Sequence, residues 1–160
     1  MKKAIVIINE QHALFPQQEQ LLRKYYGGSW EPLKVPARGW TLREQAEVAA
    51  QLTLTCFGLC GDWPAWKLVG ATGGDAPPCE APDNPTDVIF ASPVPALYGA
   101  LAATAGESRI VFKDETLAPR VLVFHNDQRE KVELPNGRVI QRIAREGWVL
   151  VDVTTGQVLD

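Results

Sequence analysis

The chain has two histidines, His12 and His125, and each closely follows an apolar run. Ala4-Ile5-Val6-Ile7-Ile8 precedes the first and Val121-Leu122-Val123-Phe124 the second. An unperturbed imidazole titrates near pH ~6.5, so either ring can exchange protons at neutral pH. Asn9 and Gln11 stand beside His12; Asn126, Asp127, Arg129 and Lys131 follow His125. Ser92 ends a third apolar run, Asp87 to Ala91. Amide and hydroxyl donors, cations and imidazoles are the groups that hold a phosphate ester and move its protons. On this reading His12, His125 and Lys131 are the catalytic candidates, and Asn9, Gln11, Ser92, Asn126 and Arg129 are the ligand-binding ones. Each also has a plain structural reading. His12 can decorate a loop, and His125-Asn126-Asp127 can be a turn, since Asn and Asp bond their own backbone. Ser92-Pro93 can be an ordinary N-cap and helix starter. Arg129 and Lys131 alternate along a predicted strand and can be its solvated face.

Other chemistries find less support. Cys56, Cys60 and Cys79 are loosely spaced and show no fourth ligand, so no metal site is expected. No Gly-x-Gly-x-x-Gly or phosphate-binding P-loop follows a strand, and no Gly-x-Ser-x-Gly elbow occurs. No cofactor is expected. Gly70 to Gly74 is glycine-rich but lies in an irregular stretch.

The elements that must position these residues alternate. The Ala4–Ile8 run is β-branched and apolar on both faces, as in a central parallel strand. Pro16 opens a helix that runs to Tyr26, where Gly27-Gly28 ends it. Leu33 to Pro36 is a short second strand. Thr41 with Glu44 makes a capping box for a helix to about Leu52, and a short strand or turn follows to Phe57. Residues from about 56 to 86 form an irregular insertion rich in Gly, Pro and Trp, pinned by Trp63 and Trp66. Asp87 to Ala91 and Val121 to Phe124 are two more strands, with a small-residue helix from Ala96 to Ala105 after the first of them. Glu130 to Leu134 and Arg138 to Ala144 flank Asn136-Gly137 and read as a β-hairpin. Trp148 to Val153 adds a last strand. The order predicts an α/β fold: a Rossmann-like three-layer sandwich on a mostly parallel sheet, with the C-terminal hairpin extending or capping one edge.

One domain fits 160 residues. The net charge of −3 gives no reason to expect duplex DNA or an anionic membrane as partner. The opening Met1-Lys2-Lys3 leads into only five apolar residues, too few for a signal peptide, and a cytoplasmic protein is expected.

In layout the chain resembles the small stand-alone CRISPR-associated Rossmann-fold (CARF-like) proteins, ring nucleases among them. The resemblance lies in AIVIINEQH, DVIFASPVPALYGALA and VLVFHNDQREKVELPNGRVI, and covers about two thirds of the chain. It implies a homodimer that binds cyclic oligoadenylate across its two-fold axis in antiviral signalling. It also implies cleavage without metal, by a ribose 2′-hydroxyl set in line with a phosphate. Asn9, Gln11 and His12 would form the first ligand loop and Ser92 the phosphate-facing one; His125, Arg129 and Lys131 would flank the ring. The competing class is a non-catalytic nucleotide sensor or a protein-interaction subunit. For dimer contact the sequence offers the Trp-rich segment and the small-residue helix.

Overall fold

The structure, a computed structural model, describes residues 2–57, 86–108 and 118–159. Trp63, Trp66, Gly70–Gly74, Cys60 and Cys79 lie outside them, and with them residues 58–85 of the predicted insertion.

The first β-branched run forms β1 (Lys3–Asn9). Helix α1 (Pro16–Tyr26) and strand β2 (Trp30–Val35) follow, then α2 (Leu42–Phe57) and β3 (Thr86–Phe90). After α3 (Pro95–Ser108) come β4 (Val121–His125), β5 (Arg129–Glu133), β6 (Val139–Ile143) and β7 (Val149–Asp152). The main sheet has the order β2-β1-β3-β4-β7. Its first four strands are parallel, and β7 lies antiparallel on β4. A mixed α/β architecture on a mostly parallel sheet is therefore observed. The hairpin differs from expectation: β5 and β6 form a separate two-stranded sheet, and β7 alone extends the main one. The reason is in the side chains. β4 is buried apolar on both faces and needs a neighbour such as β7, whose Leu150 is fully buried. β5 is charged at four of five positions and cannot sit there.

Strand alternation divides the core. Ile7, Val88, Phe90 and Val121 pack against Ala49, Leu52, Cys56 and Phe57 of α2 and Leu97, Leu101 and Ala105 of α3. Ala4, Val6, Ile89, Leu122 and Phe124 pack against Leu22 and Tyr26 of α1 on the other face. The apolar side of α3, with Leu97, Leu101 and Ala105, is thus consumed inside the chain.

Local chemistry sets the helix ends. Gly27 takes φ 61° and donates its N–H to the Arg23 carbonyl, closing α1. At the start of α2 the predicted capping box is reciprocal: the Glu44 N–H donates to Thr41 Oγ1 and the Thr41 N–H to Glu44 Oε2. Thr41→Ala is expected to cost about 1 kcal/mol in urea denaturation; an unchanged midpoint would remove the cap from the account. Hydrogen bonds from Arg38, then from Thr41, hold the Glu44 carboxyl down at about 2. Because the folded value is depressed, this contribution is present above the ordinary carboxylate range and fades as pH falls towards 2.

Helix α2 continues to Phe57, where the sequence pointed to a strand or turn after Leu52. Burial at Leu52, Thr53, Cys56 and Phe57 follows the helical period, and Thr55 Oγ1 donates back to the Gln51 carbonyl, which suits a helical threonine. Burial also pushes the Cys56 thiol up to about 11, so it is an inert core thiol at neutral pH.

A buried polar network sits at the opposite edge of the sheet from the loops after Asn9 and His125. The Asp87 carboxylate is fully buried. It accepts from Tyr26 Oη at 2.8 Å, from the Arg120 backbone N–H at 2.8 Å and from Arg120 Nη2 at 2.9 Å, and it pairs with Lys2 Nζ at 3.2 Å. Lys2 also donates to the Ala118 carbonyl. Burial beside Asp87 pushes the Tyr26 hydroxyl far above its ordinary range, and desolvation lowers Lys2. Lys2, read in the sequence only as part of a basic start, is half of the clamp that fixes β1 to the strand beside it.

Candidate functional site

The chain reverses direction across the sheet at β1. It passes from β1 to β2 on one side, then returns through α2 to β3 on the other. The crevice beyond the carboxyl ends of β1 and β3 is therefore the topological switch point, where open α/β sheets bind their ligands. Register places the strand ends in one row. Ile7 is level with Phe90 and Phe90 with Val123, so Asn9, Ser92 and His125, each two residues on, stand level along one edge. Ser92 is the middle of the three.

Hydrogen bonds tie two of the three loops together. The Asn9 N–H donates to Ser92 Oγ at 2.9 Å, and Asn9 Oδ1 accepts the Gln11 N–H at 2.9 Å. This Asx turn folds the loop back and brings His12 Nδ1 to 3.3 Å from Ser92 Oγ. Ser92 is buried, and its oxygen already accepts from Asn9, so its own proton is free to point at Nδ1. With Nδ1 turned to Ser92, Nε2 is the ring nitrogen left to meet a ligand. Ser92 is thus not an N-cap; α3 begins three residues later at Pro95.

Asn9, His12 and Ser92 line a cleft of about 220 Å³ with Val35, Gly39, Trp40, Gln45, Pro93, Val94 and Pro95. Trp40 and Gln45 were not legible as site residues. Gln45 is placed by its own bonds: Nε2 donates to the Trp40 carbonyl at 3.1 Å, and Oε1 accepts the Leu97 N–H at 3.1 Å. The second bond occupies an amide in the first turn of α3. A glutamine on an exposed helical turn carries no mark of this in sequence.

The remaining candidates lie elsewhere along the same edge. Two strand spacings separate β1 from β4, so the backbones of Asn9 and His125 stand roughly 10 Å apart. His125 is exposed and its Nε2 bonds Asp127 Oδ1 at 2.5 Å. Asn126 is buried and braces the hairpin base: Nδ2 donates to the carbonyls of Ala144 and Glu146, and Oδ1 accepts the Gln128 N–H. Gly147, at φ 94°, is required under this brace, because a Cβ there would lie 2.7 Å from Gln128 Cδ and 2.9 Å from Asn126 Oδ1. Arg129 Nη1 donates to the Asn126 and Gln128 carbonyls. Lys131 is exposed on the hairpin. Gln11 contributes its backbone to the Asx turn, and its side chain is exposed. The structure therefore joins Asn9, Gln11, His12 and Ser92 in one cluster and His125, Asn126 and Arg129 in another.

Among the described residues no group of three His, Cys, Asp or Glu is placed to hold a metal ion, and no helix is long and apolar enough to cross a membrane. Comparison of the chain with protein-family models, with curated proteins and with solved structures finds no match.

Proposed function

We propose that this chain is a Rossmann-like domain that binds a cyclic oligoadenylate at the β1–β3 switch point and cleaves it without metal. The observation that carries this is the Asn9–Ser92–His12 cluster, with one titratable ring at the mouth of a cleft beside an aromatic wall. In the cleavage, a ribose 2′-oxygen attacks the adjacent phosphorus and the bond to the 5′-oxygen breaks, giving a 2′,3′-cyclic phosphate and a 5′-hydroxyl. The 2′-proton leaves to a base and a proton is delivered to the 5′-oxygen; His12 is placed for one of these transfers. Trp40 offers a face for an adenine. Lys131 and Arg129, on the hairpin that rises from this edge, supply the positive charge. A cleft of about 220 Å³ is below the roughly 300–1,000 Å³ of complete ligand pockets, which suits one nucleotide of a ring shared between two copies.

The test is incubation of the purified protein with cyclic oligoadenylates of several ring sizes, with and without chelator, followed by separation of products. Linear product in chelator is the expected result. Binding without product would make the chain a sensor, and no binding at any ring size would overturn the reading.

A further inference from the structure

The β5–β6 hairpin is an unusual element to leave in solvent. A lone two-stranded sheet is marginally stable in water. Here it shows Val139 at 62% exposure, Ile143 at 44% and Ile140 at 38%. Among the described residues neither strand pairs with anything beyond its hairpin partner.

Its hydrogen-bond phase fixes which residues face each open edge. The Leu134 N–H donates to the Arg138 carbonyl, and the Ala144 N–H to the Gln128 carbonyl. Bonded rungs alternate with unbonded ones, so Val132–Ile140 and Glu130–Arg142 are bonded, while Glu133–Val139, Lys131–Gln141 and Arg129–Ile143 are not. The backbone groups of the unbonded residues point outward. On β5 these are Arg129, Lys131 and Glu133, all charged, which is how edges are protected from pairing. On β6 they are Val139, Gln141 and Ile143, none charged.

We propose that the free edge of β6 pairs antiparallel with β6 of a second copy of this chain, joining two hairpins into one four-stranded sheet. The sequence of β6 is self-complementary about Gln141. In that register Val139 faces Ile143 of the second copy at both ends, and Gln141 faces Gln141, whose amide is both donor and acceptor. Each of these three pairs exchanges two backbone bonds, about six in all. Centring on Arg142 would set like charges opposite each other, and centring on Ile140 would leave Ile143 opposite the turn glycine. The contact is isologous and closes with two-fold symmetry. It rests on the hairpin alone and stands whether or not the nucleotide reading does.

Light scattering and sedimentation of the purified chain at micromolar concentration test this. The wild type is expected to be a dimer. Gln141→Pro removes an outward N–H that β5 does not use, so the hairpin persists while the new edge is blocked, and the variant is expected to be a monomer. Glu133→Pro makes the same change on the guarded edge and is expected to remain a dimer. Should Gln141→Pro disturb the fold by circular dichroism, Val139→Lys with Ile143→Lys replaces it and is likewise expected to be a monomer. A monomeric wild type, a dimeric Gln141→Pro, or loss of the dimer in Glu133→Pro as well would each overturn the proposal.

Discussion

Cyclic oligoadenylate cleavage by His12→Ala is expected to fall by about 10²–10⁴-fold, with ligand binding changed far less. The expectation rests on position. His12 lines the cleft, with Nδ1 turned to Ser92 and Nε2 open to a ligand. His125 stands two strands away with its Nε2 committed to Asp127. Its alanine variant is therefore expected to lose much less than the His12 variant. Single-turnover rates at saturating ligand separate the two, because they report the chemical step and not binding. A pH–rate profile adds a readout that a packing defect would not move: the imidazole limb should vanish in His12→Ala. The reverse ranking, with His125→Ala the slow variant, would move acid–base catalysis to the β4 loop. Equal rates in both variants and wild type would leave neither histidine a catalytic part.

The second large effect is on stability. Asp87→Ala is expected to cost about 3–5 kcal/mol, because it strands Arg120 and Lys2 around a buried site that they now neutralise. A domain of this size has only about 5–15 kcal/mol in total, so the variant should unfold at markedly lower urea and melt roughly 10 °C lower. Asp87→Asn tests the charge separately. It keeps the shape but has one oxygen where Asp87 has two, so it accepts from either Tyr26 or the Arg120 N–H and leaves two cations without a counter-charge. It should also be destabilised. A melting temperature within a degree or two of wild type for both variants would show that the network is not what fixes β1 and β3 together. Neither change touches the cleft, which lies at the other end of the strands. Residual folded protein should therefore still bind ligand.

Much of the framework was legible because it depends on local pattern. β-branched apolar runs at Ala4–Ile8, Asp87–Ala91 and Val121–Phe124 have few ways to be buried except as inner strands, and they formed β1, β3 and β4. Pro16, Gly27 and the Thr41–Glu44 pair marked helix ends by chemistry confined to one turn. Because parallel strands end on the same side, the polar residues after these runs had to share one edge. What local pattern could not decide is which of those residues touch. Ser92 meets Asn9 and His12 because strand order sets β3 beside β1, and that order arises from packing helices on both faces. Gln45 meets Leu97, and Asp87 meets Arg120, across tens of residues of sequence, which no short-range signal records. The place of the hairpin was decided in the same way. Its turn was written in Asn136-Gly137, but its exclusion from the main sheet followed from β7 supplying the apolar side chains that β4 requires and β5 lacks.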